Sequence, residues 1–521
     1  MTPPPITFVL NGAPVHVAAD GGSLLDALRE QLGLRSPKDG CSPQGQCGCC
    51  TVWVDGEPRV ACVTPVARVA GRAVTTVEGL ADAQLWGEQL CAAGASQCGF
   101  CTPGIVMRLA AIAPDRRSDA AVRQALLAHL CRCTGWNTIV SAAVNLPVSA
   151  PLDAPVDEIG DQGVSTVRDC DAAERRARLE GGVAQRVSRA VALGRGGFAA
   201  DTAPPDSLVA VRSPTGEWLV AATPAQARRL AGTVPGRRTT EPLRWPVEVP
   251  AGAWVRTLRT TWVEPAYLET DAAWCLPGGE PVGPLVNGGA FGAKAGASGV
   301  ADAARRLADE HGRPVLALYS REDVVRLGPK RPPFAGGVRA DGSGVVCVAR
   351  TPGIADAIRS VAPLLEVREV DAPGPPTTAS VRAAGWAEAW ALLAPADGWV
   401  IAPSGARARA EVLVDGAIEV DVQCGAPLDE VVLRSYCIGA AHMALGWVRH
   451  EAIAVSHDGV PLDLTIRSFG VLRAVDMPAV RVRVAPSDAP PVNGSDAVFA
   501  AVALAVWRAD GFPPAWPTMR T

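Results

Sequence analysis

Cys41, Cys47, Cys50 and Cys62 are spaced C-x5-C-x2-C-x11-C, and Cys98, Cys101, Cys131 and Cys133 form a C-x2-C pair answered later by C-x-C. A [2Fe–2S] cluster needs four thiolates on two irons. A Gly-rich loop can supply three of them while its backbone N–H groups bond to the inorganic sulfides. The first set is one residue longer in its first gap than the plant-type pattern. Cys49 stands beside Cys50 and competes with it as a ligand; Cys50 is assigned because it keeps the two-residue gap from Cys47. In the second set the C-x-C half speaks against structural zinc, whose paired cysteines have at least two residues between them. Cys91, Cys170, Cys275, Cys347, Cys424 and Cys437 have no such grouping and read as small buried apolar side chains. Two [2Fe–2S] clusters, and hence movement of single electrons, are the expectation.

The elements around these cysteines follow from local pattern. Ile6–Leu10, the Asn11-Gly12 turn and Val15–Val17 read as a hairpin, after which Ser23 caps a helix over Leu24–Leu32 closed by Gly33. A loop with Gly40, Gly45 and Gly48 carries the first three cysteines. A second hairpin, Thr51–Val54, Asp55-Gly56 and Arg59–Cys62, delivers the fourth, so residues 1–79 read as a β-grasp, ferredoxin-like domain. From 80 to 146 the pattern is helical. Leu85–Ala93, Pro103–Ile112, Ala120–Leu130 and Thr138–Leu146 make a four-helix domain with the second cysteine set at helix ends. Residues 147–190 read as a linker and 191–521 as a mixed α/β region broken by Pro and Gly, an α+β multidomain chain overall.

Composition sets outer limits. Hydrophobic residues make up 48% and charged residues 20% of the 521 residues, enough for real cores, and the net charge of −4 gives no reason to expect nucleic acid or an acidic membrane as partner. The start MTPPPITFVLNG has no basic and apolar export pattern, and the apolar runs Ala440–Val448 and Ala497–Val506 are too short to span a bilayer. Ten of the fifteen cysteines lie between Cys41 and Cys133. Such clustering in a long chain points to reduced thiols and metal ligands, and so to a cytoplasmic protein.

The motifs together carry a resemblance. Gly40-Cys41 through Cys50-Thr51-Val52, with Asp55-Gly56 and Ala61-Cys62, resembles the first cluster loop of the xanthine dehydrogenase family of molybdenum hydroxylases. Gln97-Cys98-Gly99-Phe100-Cys101-Thr102-Pro103-Gly104 and Leu130-Cys131-Arg132-Cys133-Thr134-Gly135 resemble its second cluster motifs. By that resemblance the second cluster sits nearest a molybdopterin, with Cys133 and Gln97 close to the pterin, and the first passes electrons to a flavin.

Beyond 190 the resemblance to the family's molybdopterin-binding subunit is fragmentary. Ala192–Gly196 through Leu208, Thr261–Ala273, Gly288–Lys294 (GGAFGAK), Arg313–Asp323, Ala444–Glu451, Asp476–Pro478 and Asn493–Asp496 follow its landmarks in a region less than half the usual length. The resemblance implies that Gly289, Phe291 and Gly292 would face the molybdenum. It also implies that Arg382 is the remnant of an active-site Phe-Arg-Gly segment. Asp496 stands where the family carries its catalytic glutamate, one methylene shorter, and a base displaced by about an ångström costs roughly 100-fold in rate. Asp496 also has a bland reading, as the N-cap of the apolar helix that follows. His442 and His450 read as packing or surface residues.

Three functions follow. The favoured one is an electron-transfer subunit whose shortened C-terminal region is a docking surface, with molybdopterin on a larger catalytic subunit. The alternative is a compact, self-sufficient hydroxylase of aldehydes or N-heterocycles, with Phe291, Arg382 and Asp496 around the metal. The third is a redox sensor. The chain contains no flavin-binding Gly-Gly-Thr stretch and no G-x-G-x-x-G placed after a strand. Electrons are therefore expected to leave to an FAD-binding subunit or a soluble carrier.

Overall fold

A computed structural model describes residues 4–147, 169–232, 239–296 and 298–520. Asn11-Gly12 and Asp55-Gly56 each turn with positive φ at both residues, 50° and 88° in the first and 51° and 81° in the second. That is the turn whose twist matches paired strands. The two turns join β1 (Ile6–Leu10) to β2 (Ala13–Val17) and β3 (Thr51–Val54) to β4 (Glu57–Val60). A strand that the sequence pattern does not announce, β5 (Ala73–Thr75), enters between the hairpins, parallel to β1 and antiparallel to β3. The order β2-β1-β5-β3-β4 is that of a β-grasp sheet.

The helix expected over Leu24–Leu32 is a single α turn, α1 (Leu24–Asp26), closed by a capping box between Ser23 and Asp26. It runs on into a π turn, Ala27–Gln31. Cys62 lies in a 3₁₀ turn, Ala61–Val63, just past the strand expected to carry it. The four predicted helices are α2 (Ala83–Ala92), α3 (Thr102–Ala110), α4 (Asp119–Ala125) and α5 (Asn137–Val144). α4 ends early in a 3₁₀ turn, Leu126–Ala128, which leaves His129 extended and directs Leu130 and Cys131 toward the first cysteine loop.

Part of the segment read as a linker, 148–168, lies outside the described residues; the rest is not linker. α6 (Cys170–Gly181) packs against the C-terminal region and buries Arg176 and Glu180, followed by α7 (Arg189–Ala192) and α8 (Ala199–Thr202). Strands β6 (Leu208–Arg212) and β7 (Trp218–Ala221) precede helix α9 (Pro224–Ala231). Next come β8 (Arg256–Arg259), β9 (Ala272–Cys275), α10 (Ser298–His311) and β10 (Val315–Leu318). The second sheet runs β7-β6-β10-β9. Alternation along β6 sets Ala210 against α10 on one face and Val209 and Val211 against α9 on the other, as the two-residue strand period requires.

Helix α11 (Arg321–Leu327) leads into β11 (Phe334–Val338), β12 (Gly344–Ala349), α12 (Ile354–Val361) and β13 (Leu365–Val370). These strands and β8 form a third sheet, β13-β12-β11-β8. After α13 (Trp386–Leu393), a fourth sheet joins β14 (Val400–Ile401), β15 (Arg407–Val412), β16 (Ile418–Gln423) and β17 (Val480–Val484). The core between these sheets is two long apolar helices, α14 (Glu430–Arg449) and α15 (Ser495–Ala509). Trp447 stacks on Phe499 at 5.2 Å and meets Trp516 edge-on at 4.5 Å. By length and composition α14 could cross a membrane, but 89% of its apolar window is buried inside this fold, as in a core helix.

Candidate metal centres

The first cysteine loop is held open by positive-φ glycines and closed over by the C-terminal region. Gly48 (φ 74°) is required: a Cβ there would lie 2.4 Å from the His129 ring. Gln44 and Gln46 backbone N–H groups donate to Cys41 Sγ at 3.1 and 3.4 Å, and Cys62 N–H donates to Cys50 Sγ at 3.4 Å. The thiols form a chain: Cys41 meets Cys47 and Cys62, and Cys62 also meets Cys50. Cys49, fully buried, bonds Cys47. That hydrogen bond draws the Cys49 thiol pKa down. Burial and the neighbouring Cys41, Cys50 and Cys131 sulfurs outweigh it, and the net shift is upward.

The second set falls into two pairs. Cys98 and Cys133 lie 3.6 Å apart, and Cys101 bonds Cys131, whose sulfur also meets the Thr134 hydroxyl at 3.2 Å. Among the described residues no three His, Cys, Asp or Glu converge as a single-ion site would require. Pairs of thiols are what a [2Fe–2S] core asks for, two to each iron. The structure brings the eight expected cysteines together in two sets whose donors fit such clusters, with Cys49 beside the first.

The clusters' surroundings were not legible in advance. Arg132, between two ligands, forms a bidentate ion pair with Glu451 at 2.6 and 2.7 Å and donates through Nε to Pro265 O at 2.9 Å. Arg321 donates to the Gly40 carbonyl, Gln44 to Glu322 and the Leu464 carbonyl, and Arg467 to the Gln46 carbonyl. Lys38, buried, reaches Asp201 and the Gly194 carbonyl; burial pulls its pKa down to about 8 against the opposing pull of Asp201. Helix α14 passes so close to the second loop that a Cβ on Gly439 would fall 1.7 Å from the Cys133 carbonyl oxygen. Gln97 Nε2 donates to that same carbonyl and to Ser435 Oγ, both at 3.0 Å, while Gln97 Oε1 is buried without a partner.

Phe291, Arg382 and Asp496 do come together. The Arg382 guanidinium lies 3.7 Å from the Phe291 ring centroid, and its backbone N–H donates to the Phe291 carbonyl at 2.9 Å. Its Nε donates to Asp496 at 3.1 Å and its Nη2 to Ser495 Oγ at 3.0 Å. Although 30% of the Asp496 side-chain surface is accessible, desolvation raises its carboxyl pKa, opposed by Arg382. Gly289 (φ 92°) lies against the second cysteine set: a Cβ there would be 3.5 Å from Cys133 Sγ. Gly292 has no room for a side chain, its Cβ position being 1.8 Å from the Ser380 carbonyl.

The capping reading of Asp496 does not hold. The Asn493 side chain accepts from Asp496 N–H at 3.0 Å, and Glu180 of α6 accepts from Gly494 and Ser495 N–H at 3.0 and 2.8 Å. Arg176, one turn earlier, neutralises Glu180 at 3.0 Å. This buried i,i+4 pair lies in the stretch read as linker, so no local signal marked it. His442 packs as expected, fully buried with Nε2 3.1 Å from the Leu472 carbonyl.

Against known proteins, a 2Fe-2S iron-sulfur cluster binding domain matches residues 8–67 and a [2Fe-2S] binding domain residues 76–144. The nicotinate dehydrogenase small FeS subunit of Eubacterium barkeri is 38% identical over 144 residues, 26% of this chain and 90% of that protein. The xanthine dehydrogenase iron-sulfur-binding subunit of Escherichia coli O157:H7 is 36% identical over 147 residues, 27% of this chain and 92% of that protein. In fold, the aldehyde oxidoreductase of Desulfovibrio gigas superposes with a TM-score of 0.54 at 18% identity, over 85% of this chain and 74% of that one. The enzyme of Desulfovibrio desulfuricans gives 0.55 at 18% identity, over 94% and 77%. The fold likeness therefore extends well past the quarter of the chain that the sequence relatives match.

Proposed function

Since this chain belongs to the xanthine dehydrogenase family of molybdenum hydroxylases, we propose that it is the electron-transfer subunit of such an oxidoreductase. Cys41, Cys47, Cys50 and Cys62 would hold one [2Fe–2S] cluster and Cys98, Cys101, Cys131 and Cys133 the other. When bound, these groups supply one-electron carriers. The chain's own residues keep the sulfurs dry and fix the two loops: Arg132 through Glu451, Gln97 through the Cys133 carbonyl, and Arg321 through the Gly40 carbonyl. Molybdopterin belongs in this reading to a larger catalytic partner, and electrons leave to an FAD-binding subunit or soluble carrier in the cytoplasm.

The observation that carries the proposal is the closed state of the Phe291–Arg382–Asp496 trio. Arg382 stacks on Phe291 and spends its donors on Asp496, Ser495 and Met443. Three of the five guanidinium N–H donors are thereby held by the chain's own groups, and Phe291 covers its face. One feature supports a second reading, the compact hydroxylase of an aldehyde or N-heterocycle. Gln97 Oε1, buried and unpartnered beside Cys133, would accept from a pterin N–H, with Asp496 as base. The test is turnover. Reduced with dithionite, the isolated chain should hand electrons to ferricyanide yet oxidise no aldehyde or N-heterocycle until a molybdenum-bearing partner is added. Oxidation by the isolated chain would overturn the proposal.

A further inference from the structure

Arginines flank both cysteine loops, and they differ in whether a carboxylate answers them. Arg321, the first residue of α11, is fully buried. Its Nη2 donates to the Gly40 carbonyl at 2.5 Å and to the Leu268 carbonyl at 3.0 Å. Nε and Nη1 are buried without a partner, and among the described residues no carboxylate pairs with this guanidinium. Asp271 lies within reach of its charge but accepts from the Tyr267 hydroxyl at 2.9 Å instead. Gly40 precedes Cys41, and a Cβ built on it would lie 3.1 Å from the Cys47 sulfur. Arg321 therefore stands directly behind the first cysteine set. On the same loop Arg467 donates through Nε to the Gln46 carbonyl at 3.0 Å and lies close enough to act on Cys41 and Cys47. Of the acids there, Asp39 is answered by Arg228 at 2.5 Å, and Glu322 accepts from Gln44 at 2.9 Å. At the second loop the charge is matched: Arg132 holds Glu451 through two bonds, at 2.6 and 2.7 Å.

We propose that Arg321 is a positioning residue for electron transfer: its guanidinium is the fixed counter-charge of the group held by the first cysteine set and raises that group's reduction potential. The inference rests on the electron-transfer reading above. A buried ion with no counter-ion is strongly destabilising, and a carboxylate is the usual remedy. Arg321 has none, and a guanidinium cannot shed its proton to escape the cost. Four thiolates on iron, just beyond Gly40, carry the missing negative charge. One electron, arriving from the set of Cys98, Cys101, Cys131 and Cys133, adds one further negative charge to the first set. A cation fixed beside it in a dry interior favours that reduced state. At the second loop Glu451 cancels the same effect of Arg132.

The experiment is a dithionite titration of the full chain followed by electron paramagnetic resonance, on wild type, Arg321→Gln, Arg321→Lys and Glu451→Gln. Cys62→Ser, which removes one signal, identifies the first set. Arg321→Gln keeps an N–H for the Gly40 carbonyl but no charge. It should lower the first-set midpoint by about tenfold in its reduction equilibrium, about 59 mV for one electron, and leave the other unmoved. Arg321→Lys keeps the charge without the planar fork and should restore most of that shift. Glu451→Gln strips Arg132 of its counter-charge and should raise the second-set midpoint instead. Should both Arg321 variants lose their iron, Glu451→Gln decides: a raised midpoint supports the inference and an unmoved one overturns it. Equal shifts in Arg321→Gln and Arg321→Lys would overturn it too, by making loop geometry the cause. So would an unmoved first-set midpoint in Arg321→Gln, and either result leaves the electron-transfer reading standing. Absence of two signals from the wild type would instead sink that reading.

Discussion

Around Cys133 the sulfurs meet one another and the Thr134 hydroxyl, with no charged partner; around Arg382 the charge already has its opposite in Asp496. Cys98 and Cys133 stand 3.6 Å apart with no neutralising side chain between them. Arg382 lies against Phe291 with Asp496 at 3.1 Å and Ser495 at 3.0 Å. The difference teaches how to tell a site that waits for a guest from a scaffold that has closed. Four buried thiols without a cation are complete only with a metal group. A buried guanidinium bonded on several sides is complete by itself.

The hardest blow to this comparison falls on the cysteines. Cys133→Ser should abolish one of two paramagnetic signals and leave the other at full strength; survival of both would remove Cys133 from the ligand set. Next in size is the Arg132–Glu451 pair, which ties the second loop to the residues just past α14. Glu451→Ala leaves Arg132 buried and unpaired, a loss of about 3–5 kcal/mol, to be read as a lowered urea midpoint, with Glu451→Gln losing less.

His442 gives a pH test. Burial, assisted by Arg132, lowers its pKa from 6.5 to about 4. Below pH 6.5 the unfolded chain takes up a proton that the folded chain refuses, so stability falls as pH drops from 6.5 toward 4. The full effect is about 3 kcal/mol at 1.36 kcal/mol per unit. His442→Gln should flatten the thermal midpoint across that window, and an unchanged slope would remove His442 as its source. Smallest is Asp496→Asn, worth about 1 kcal/mol of stability for a partly exposed ion pair, with iron content and both signals unchanged. If this variant instead lost bound molybdenum, the closed scaffold would have to be read as a working site.

The cysteine loops and their hairpins were legible because their signals are local: spacing of ligands, Asn-Gly and Asp-Gly turns, a Ser23 cap. The three-residue β5 gave no periodicity to read, and its place is set by pairing with β1 and β3. Helix α6 looked like linker because its mean character is polar; only the fold shows that Glu180 caps α15 more than 300 residues away, at a separation of 315 to Ser495. Glu451 is likewise 319 residues from Arg132. The Phe291–Arg382–Asp496 meeting was foreseen through family resemblance, but not that Arg382 would also bond Ser495 and Met443. That depends on side-chain geometry that no spacing encodes.

The central claim is that this chain carries iron–sulfur groups and leaves molybdenum to a partner. Metal and pterin analysis of the chain purified alone tests it most directly. The account predicts four irons per chain, as two [2Fe–2S] clusters require, with neither molybdenum nor pterin. Stoichiometric molybdenum and pterin on the isolated chain would contradict it.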